Sequence, residues 1–328
     1  MFNNQLLVFL IVMSHGLMAE TIPDDVVSTI NSIQKQSIYS IADTVKFDGQ
    51  IIKADEVVFG PDSVLEFTNL KQDWIAIVAD KIKFTAPLKK ATIKRSFDVF
   101  SVDGQRGSTG RNGINGRTHH RHGTNGGNGG DGGQGGKGGS TKLPTLYIIA
   151  NSILSQASST APDYINLKLI FPGIDGGKGG NGGIGGKGGN GGNGRDGSDG
   201  FLSCRSGAGN GGTGGLAGKG GKGGDGGNGG NGAKIVFVGD QSVLDVLSYS
   251  IVINTGGDSG IPGQAGSVGV PGIGGQRGHS SHHCGWGQNG LTGEYPNPNN
   301  LGVGNLGRSG DKGSVEKIEL SKVNGLKL

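Results

Sequence analysis

Residues 176–194 read Gly-Gly-Lys-Gly-Gly-Asn-Gly-Gly-Ile-Gly-Gly-Lys-Gly-Gly-Asn-Gly-Gly-Asn-Gly, two glycines in every triplet without a slip of phase. A period of three belongs to the left-handed polyproline II helix, which rises about 3.1 Å per residue and makes no internal hydrogen bonds. Its N–H and C=O groups must pair with neighbouring segments of the same kind. Glycine on two edges lets those neighbours approach closely, and the third residue points outward. Flexible linkers and disordered tails are also glycine-rich. Nothing in a linker, however, holds glycine in phase from Gly173 to Gly200. The stretch reads as one leg of a bundle.

The register extends both ways from that leg. The 328-residue chain has 72 glycines, and all but Gly16, Gly49, Gly60 and Gly325 fall within 104–313. Collagen shares this density but requires abundant proline, and only 10 prolines are present. Three glycine excursions occupy 104–139, 173–232 and 257–313, interrupted at Arg117–His122, Phe201–Ser206 and His279–Cys284. Each is expected to fold as an antiparallel polyglycine II hairpin, giving six legs in all. Outward positions such as Asp175, Lys178, Asn181, Ile184 and Lys187 should form a hydrated edge. Pro262, Ala265, Val268 and Pro271 share another edge, one expected to meet apolar neighbours.

The remaining residues form the base, with an all-β expectation overall. The motif Ala-Asp-x-(Val/Ile)-x-Phe appears at 42–47, 54–59 and 79–84, with a weaker copy at 150–155. Alternating apolar residues with a turn at Ala-Asp indicate strands, and a recurring strand–turn unit indicates stacked rungs of a β-solenoid. A flat β-sandwich is the competing arrangement. The expected division is a signal peptide at 1–19, a β-solenoid-like base at 20–103, inserted hairpins separated by base strands 143–171 and 234–254, and a closing strand at 314–328. Strands are expected at 146–149, 165–171, 235–238, 246–253 and 315–320, and a helix over 24–37 behind Pro23.

The run Leu-Leu-Val-Phe-Leu-Ile-Val-Met at 6–13 is short for a bilayer span and has the length of a secretory h-region, with Ala19 beyond it. A buried N-terminal strand is the other reading of that run. Export implies a secreted or cell-surface protein in which Cys204 and Cys284 form a disulfide. Counting rises along the second and third excursions puts the two cysteines about 12 Å apart in height, a gap loops can close. The net charge of +4 is spread among interspersed lysines and aspartates, which argues against a nucleic-acid partner.

On the glycine runs, such as Gly179–Gly192, the chain resembles the polyglycine II bundle proteins over residues 104–313. These include the tip adhesins of T-even-type phage long tail fibres and the snow flea antifreeze protein. The first resemblance implies receptor recognition by the loops that interrupt the runs. The second implies ice-binding faces. Lys178, Lys187, Lys219 and Lys222 on the exposed edges suit water better than ice.

All six histidines after His15 lie in two breaks: His119, His120 and His122, then His279, His282 and His283 beside Cys284. Zinc or copper ligation by His279, His282, His283 and Cys284 is one reading, and polar loops are the other. Leg lengths of about 40 Å and about 68 Å for the first and third excursions would hold the two clusters far apart. No nucleophile motif, P-loop, cofactor motif or paired-carboxylate site is present. Asp55 and Asp80 are the only carboxylates that a β-helix enzyme would recommend, and turn roles account for them. The expected function is that of a non-enzymatic adhesin. Trp286, Tyr295, His282, His283, Phe201 and Arg205 would contact a cell-surface glycan or outer-membrane protein. The alternatives are an ice- or hydration-active structural protein and a metal-binding surface protein.

Overall fold

A computed structural model describes residues 21–86, 89–155, 165–297 and 302–328, and the apolar run 6–13 lies outside them. Helix α1 (Asp24–Ser32) follows Pro23 and buries Val26, Val27 and Ile30. The expected extension to residue 37 fails because strand β1 (Gln36–Ile41) claims the chain, leaving Ile33 exposed. There follow β2 (Thr44–Phe47), β3 (Ile51–Phe59), β4 (Val64–Phe67), β5 (Trp74–Phe84) and β6 (Ala91–Arg95). The first glycine excursion carries the short strands β7 (Thr118–His119) and β8 (His122–Gly123) at its turn. Next come β9 (Thr145–Ser155) and β10 (Leu167–Ile170), then the second excursion with β11 (Ser198–Asp199) and β12 (Cys204–Ser206). Strand β13 (Ile235–Gly239), helix α2 (Gln241–Ser248) and β14 (Ile251–Ile253) precede the third excursion, and β15 (Val315–Glu319) follows it.

The fold is mostly β, with sheets that do not close into a barrel. One sheet has the order β1-β3-β5-β9-β13-β15, the other β14-β10-β6-β4-β2. Every pairing within both is parallel. The chain alternates between the sheets, and their inner faces share one apolar core that includes Phe59, Ile75 and Phe237 from the first and Phe67, Ile93 and Leu169 from the second. The outer face of the six-stranded sheet is covered as well. Val26 and Ile30 of α1, with Ile318 and Val323 near the C-terminus, pack on Trp74, Val78, Tyr147 and Val236. Lys53 fixes α1 by donating from Nζ to the Ile30 carbonyl at 3.0 Å.

Three copies of the sequence repeat stack in register, Ala54 beside Ala79 beside Ala150 and Val57 beside Ile82 beside Ile153. The copy at 42–47 does not belong to that row. Its Val45 and Phe47 lie in the other sheet, opposite Leu65 and Phe67. Nor is Ala-Asp a turn in the stacked copies. Strands β3, β5 and β9 run through it, and burial passes from Ile52 and Ala54 to Val57 and Phe59 with a one-residue slip of phase. Such a slip bends a long strand while returning its apolar residues to the core. The strand expected at 246–253 holds only at its end, as β14; residues 246–248 close helix α2, which is capped by Asp240, whose carboxylate accepts from the Val243 N–H at 2.9 Å. Val243, Leu244 and Leu247 supply its buried face.

The glycine segments extend this plan. Outgoing legs leave β6, β10 and β14 of one sheet, and returning legs enter β9, β13 and β15 of the other. Within the outgoing layer the Gly104 N–H donates to the Lys178 carbonyl at 2.7 Å, and Gly179 to Ile261 at 2.8 Å. Within the returning layer Gly126 donates to Thr213 and Gly214 to Leu291, both at 2.8 Å. Between layers Gly186 donates to Gly130 and Gly224 to Gly180, again at 2.8 Å. A Cβ on Gly186 would land on the Arg111 carbonyl oxygen, and one on Gly224 on that of Gly136. Among the described glycines only Gly325 has a positive φ, so the legs need glycine for space rather than for conformation. Arg95 roots the bundle: buried at the end of β6, it donates to the carbonyls of Pro172 at 2.6 Å and Gly173 at 3.2 Å.

Candidate functional site at the tip of the legs

The three breaks meet at the far end of the legs. The Arg195 N–H donates to the Arg121 carbonyl at 2.9 Å, and the His279 N–H to Asp196 Oδ1 at 2.7 Å, so the three turns lie at one level. The histidine clusters are therefore separated by the width of the second hairpin, not by the height difference that leg lengths suggested. The legs start at unequal heights: residues 97–103 climb before the glycine register begins, and Gly104 already lies beside Lys178.

Two aspartates of the second hairpin organise the third. Asp199 accepts the Ser281 hydroxyl at 2.7 Å and the N–H groups of His282 at 2.7 Å and His283 at 2.8 Å. The Ser281 hydroxyl first, and then the two N–H groups, hold its carboxyl below the usual aspartate range. Asp196 is lowered in the same way by the His279 N–H and then by its ring, with Nδ1 at 3.0 Å. The disulfide between Cys204 and Cys284, with Cα atoms 4.9 Å apart, joins the same two hairpins covalently. It withdraws Cys284 as a thiolate ligand. Among the described residues, no group of three or more His, Cys, Asp and Glu could hold a metal ion.

Trp286 is 55% exposed yet held, with the Arg277 guanidinium 4.6 Å from its ring centre and the His279 ring at 5.5 Å. Phe201 and Leu202 cap the β11–β12 hairpin, Phe201 at 96% exposure. Leu202 was missed in the sequence because it sits beside the more conspicuous Phe201. His282, His283 and Arg205 are exposed on the same two loops. Tyr295 is elsewhere. It lies on the last returning leg, nine residues below Trp286, or about 28 Å along an extended chain, at 63% exposure.

The outward positions of the legs are less idle than a hydrated edge implies. Asn190 Oδ1 accepts the Ile273 N–H at 3.0 Å, Asn128 accepts that of Leu216 at 3.0 Å, and Asp225 accepts that of Asn305 at 2.7 Å. Each such Asn or Asp closes the one backbone donor that the glycine edges leave open. In the base, Asp55 and Asp80 share Lys35, whose Nζ lies 2.7 Å from the first and 2.8 Å from the second. Those carboxylates, Asp55 first, hold the ammonium above its usual range. One ammonium thus serves two carboxylates, and the Asn151 side-chain amide adds a donor to Asp80 at 3.4 Å.

No family model matches this chain, and no curated protein matches it. Among solved structures, the nine polyproline type II helical bundle springtail antifreeze protein from Granisotoma rainieri is 23% identical, covering 57% of this chain and 97% of its own, with a TM-score of 0.09. That score defines no shared fold, and the likeness carries no argument here. Among the described residues, no helix is long and apolar enough to cross a membrane.

Proposed function

We propose that the protein is a secreted, non-enzymatic adhesin in which a β-solenoid base carries three polyglycine II hairpins as a stiff six-leg spike. The alternation of parallel strands between two sheets supports the solenoid. The three-residue ladder of interleg hydrogen bonds supports the bundle. The receptor is a cell-surface glycan or outer-membrane protein, met at the tip.

The observation that carries this reading is the construction of the tip. Its loops are joined by the Cys204–Cys284 disulfide and by Asp199, while Trp286 and Phe201 stay exposed. Recognition loops on a rigid scaffold bind with little ordering cost. Aromatic side chains backed by arginine are common anchors at such surfaces. Tyr295 stands as a lateral contact for a receptor large enough to lie along the spike.

Screens of the full chain against glycan arrays and intact cells test the proposal. Trp286→Ala and Phe201→Ala should each weaken binding about tenfold or more, the size expected of an anchor residue, with an unchanged melting temperature. A target bound equally well by both variants would place recognition elsewhere.

A further inference from the structure

The root of the outgoing legs holds a second concave surface, independent of the tip. A cavity of about 640 Å³ opens where β6 passes into the first leg, between Phe97, Phe100 and Asp103 on one side and Asp175 and Lys178 on the other. A second cavity, of about 500 Å³, lies beyond Phe100 against the 68–73 turn. Phe100 lines both, so it stands as a ridge between them. Each volume lies in the usual range for ligand sites, about 300–1,000 Å³.

Three features indicate the occupant. Phe100 is 77% exposed, and the neighbouring Phe97 is fixed by the Arg95 guanidinium 4.6 Å from its ring centre. An aromatic face attracts C–H groups and cations. Next, Asp103 Oδ1 is held by the Lys178 N–H at 2.7 Å and Asp175 Oδ1 by the Asp258 N–H at 2.7 Å. The other oxygen of each carboxylate takes no hydrogen bond among the described residues, and Asp175 also lies in the field of the Arg95 guanidinium, so two acceptors are fixed and open. Finally, backbone donors at the groove are already used, Gly104 on Lys178, Gly176 on Asp258 and Gly177 on Gly139. An added peptide strand would find no ladder there.

We propose that the two cavities form one site for a neutral linear polysaccharide, with a pyranose ring stacked on Phe100 and hydroxyls donating to Asp103 and Asp175. Neutral sugar rings offer both C–H faces and O–H donors. Asp73, Asp103 and Asp175 on the lining are offset by Lys71, Arg95, Lys142 and Lys178, so uronate or sulfate groups gain no clear advantage over neutral hydroxyls. Two cavities divided by one ridge suit a chain that continues past the stacked ring on both sides. A glycan held at the root would leave the spike free to project from a polysaccharide surface.

Titration calorimetry of the full chain with linear β-1,4-, β-1,3- and α-1,4-glucan hexasaccharides tests this, with hexagalacturonate as the anionic control. At least one neutral hexasaccharide should bind, more tightly than its disaccharide, and hexagalacturonate should bind no better. Phe100→Ala should weaken binding at least about tenfold without lowering the melting temperature, since the ring is exposed. Asp103→Asn keeps the acceptor for the Lys178 N–H and should weaken binding less, while Lys187→Gln, on an outward position away from the root, should leave it unchanged. The proposal is overturned if no neutral hexasaccharide binds, if Phe100→Ala binds like wild type, or if hexagalacturonate binds better.

Discussion

Two residue types divide the work within a leg. Glycines facing other legs have no room for a Cβ, so Gly186→Val or Gly224→Val should destabilise the fold by about 3 kcal/mol or more, through overpacking and broken interleg bonds. Lys187→Gln and Lys222→Gln, on outward positions, should stay within about 0.5 kcal/mol. Thermal unfolding compares the two kinds directly. Asn190→Ala leaves the Ile273 N–H without its acceptor and should cost about 0.5–1 kcal/mol, whereas Asn190→Asp should be close to neutral because an aspartate oxygen serves equally well. Asp103, Asp131, Asp175 and Asp225 already serve that way elsewhere along the legs. At the tip the carboxyls of Asp196 and Asp199 lie below their ordinary range, so unfolding raises their affinity for protons. Their contribution is complete above the ordinary aspartate range and is lost as pH falls through the lowered values. Protection of the 279–283 amides, measured against free-peptide exchange at the same pH, should therefore hold at pH 5 and fall only in stronger acid. A fall already between pH 6 and 5 would show that these bonds do not hold the loop.

Among elements, the outermost legs differ from the inner ones in a way that limits bundle width. Gly179 and Gly188 of the second outgoing leg donate N–H groups to Ile261 and Val270 of the third. One leg farther out, the equivalent positions are Pro262 and Pro271, which have no N–H, with Ala265 and Val268 between them. On the opposite edge Gln105, Ser108, Arg111 and Ile114 occupy positions that are glycine in the inner leg. Side chains and prolines at an edge block another backbone from pairing. Replacing Pro262, Ala265, Val268 and Pro271 together by glycine should expose a leg-binding edge, and size-exclusion chromatography should show multimers. An unchanged monomer-to-multimer ratio would mean that some other feature caps the edge. The mostly β character and the Cys204–Cys284 disulfide were legible in the sequence, from the alternating apolar residues of the base and from the cysteines' places at breaks in the glycine register. Helix α2 was not, since Val243, Leu244 and Leu247 fit a strand as well as a helix until the cap at Asp240 is noticed. Pro262, Ala265, Val268 and Pro271, whose shared edge suggests apolar neighbours, lie instead on the outer edge of the third outgoing leg.

For the molecule as a whole, the base continues into the bundle without a change of plan, sheets giving way to layers of legs. This explains why the tip loops share a level although their glycine runs differ in length. Counting residues from the first glycine could not reveal it, because the climb begins at Phe97. Tyr295 stands apart from Trp286 for a related reason: both are aromatic and close in sequence, but nine residues of extended leg separate them. Cys204 and Cys284 succeed where those residues do not, since both lie at turns of equal height. Mass spectrometry of non-reduced peptides should recover the Cys204–Cys284 link. Reduction should speed exchange in 198–206 and 279–285 while leaving the leg amides slow.

On the function proposed above, the spike serves to present its tip. The most direct measurement replaces 118–121, 199–205 and 280–286 with glycine–serine loops of equal length and compares binding of this protein and the wild type to the target cells. The legs should stay folded by amide exchange, and binding should be lost. Binding at wild-type affinity by the trimmed but folded protein would contradict the proposed function.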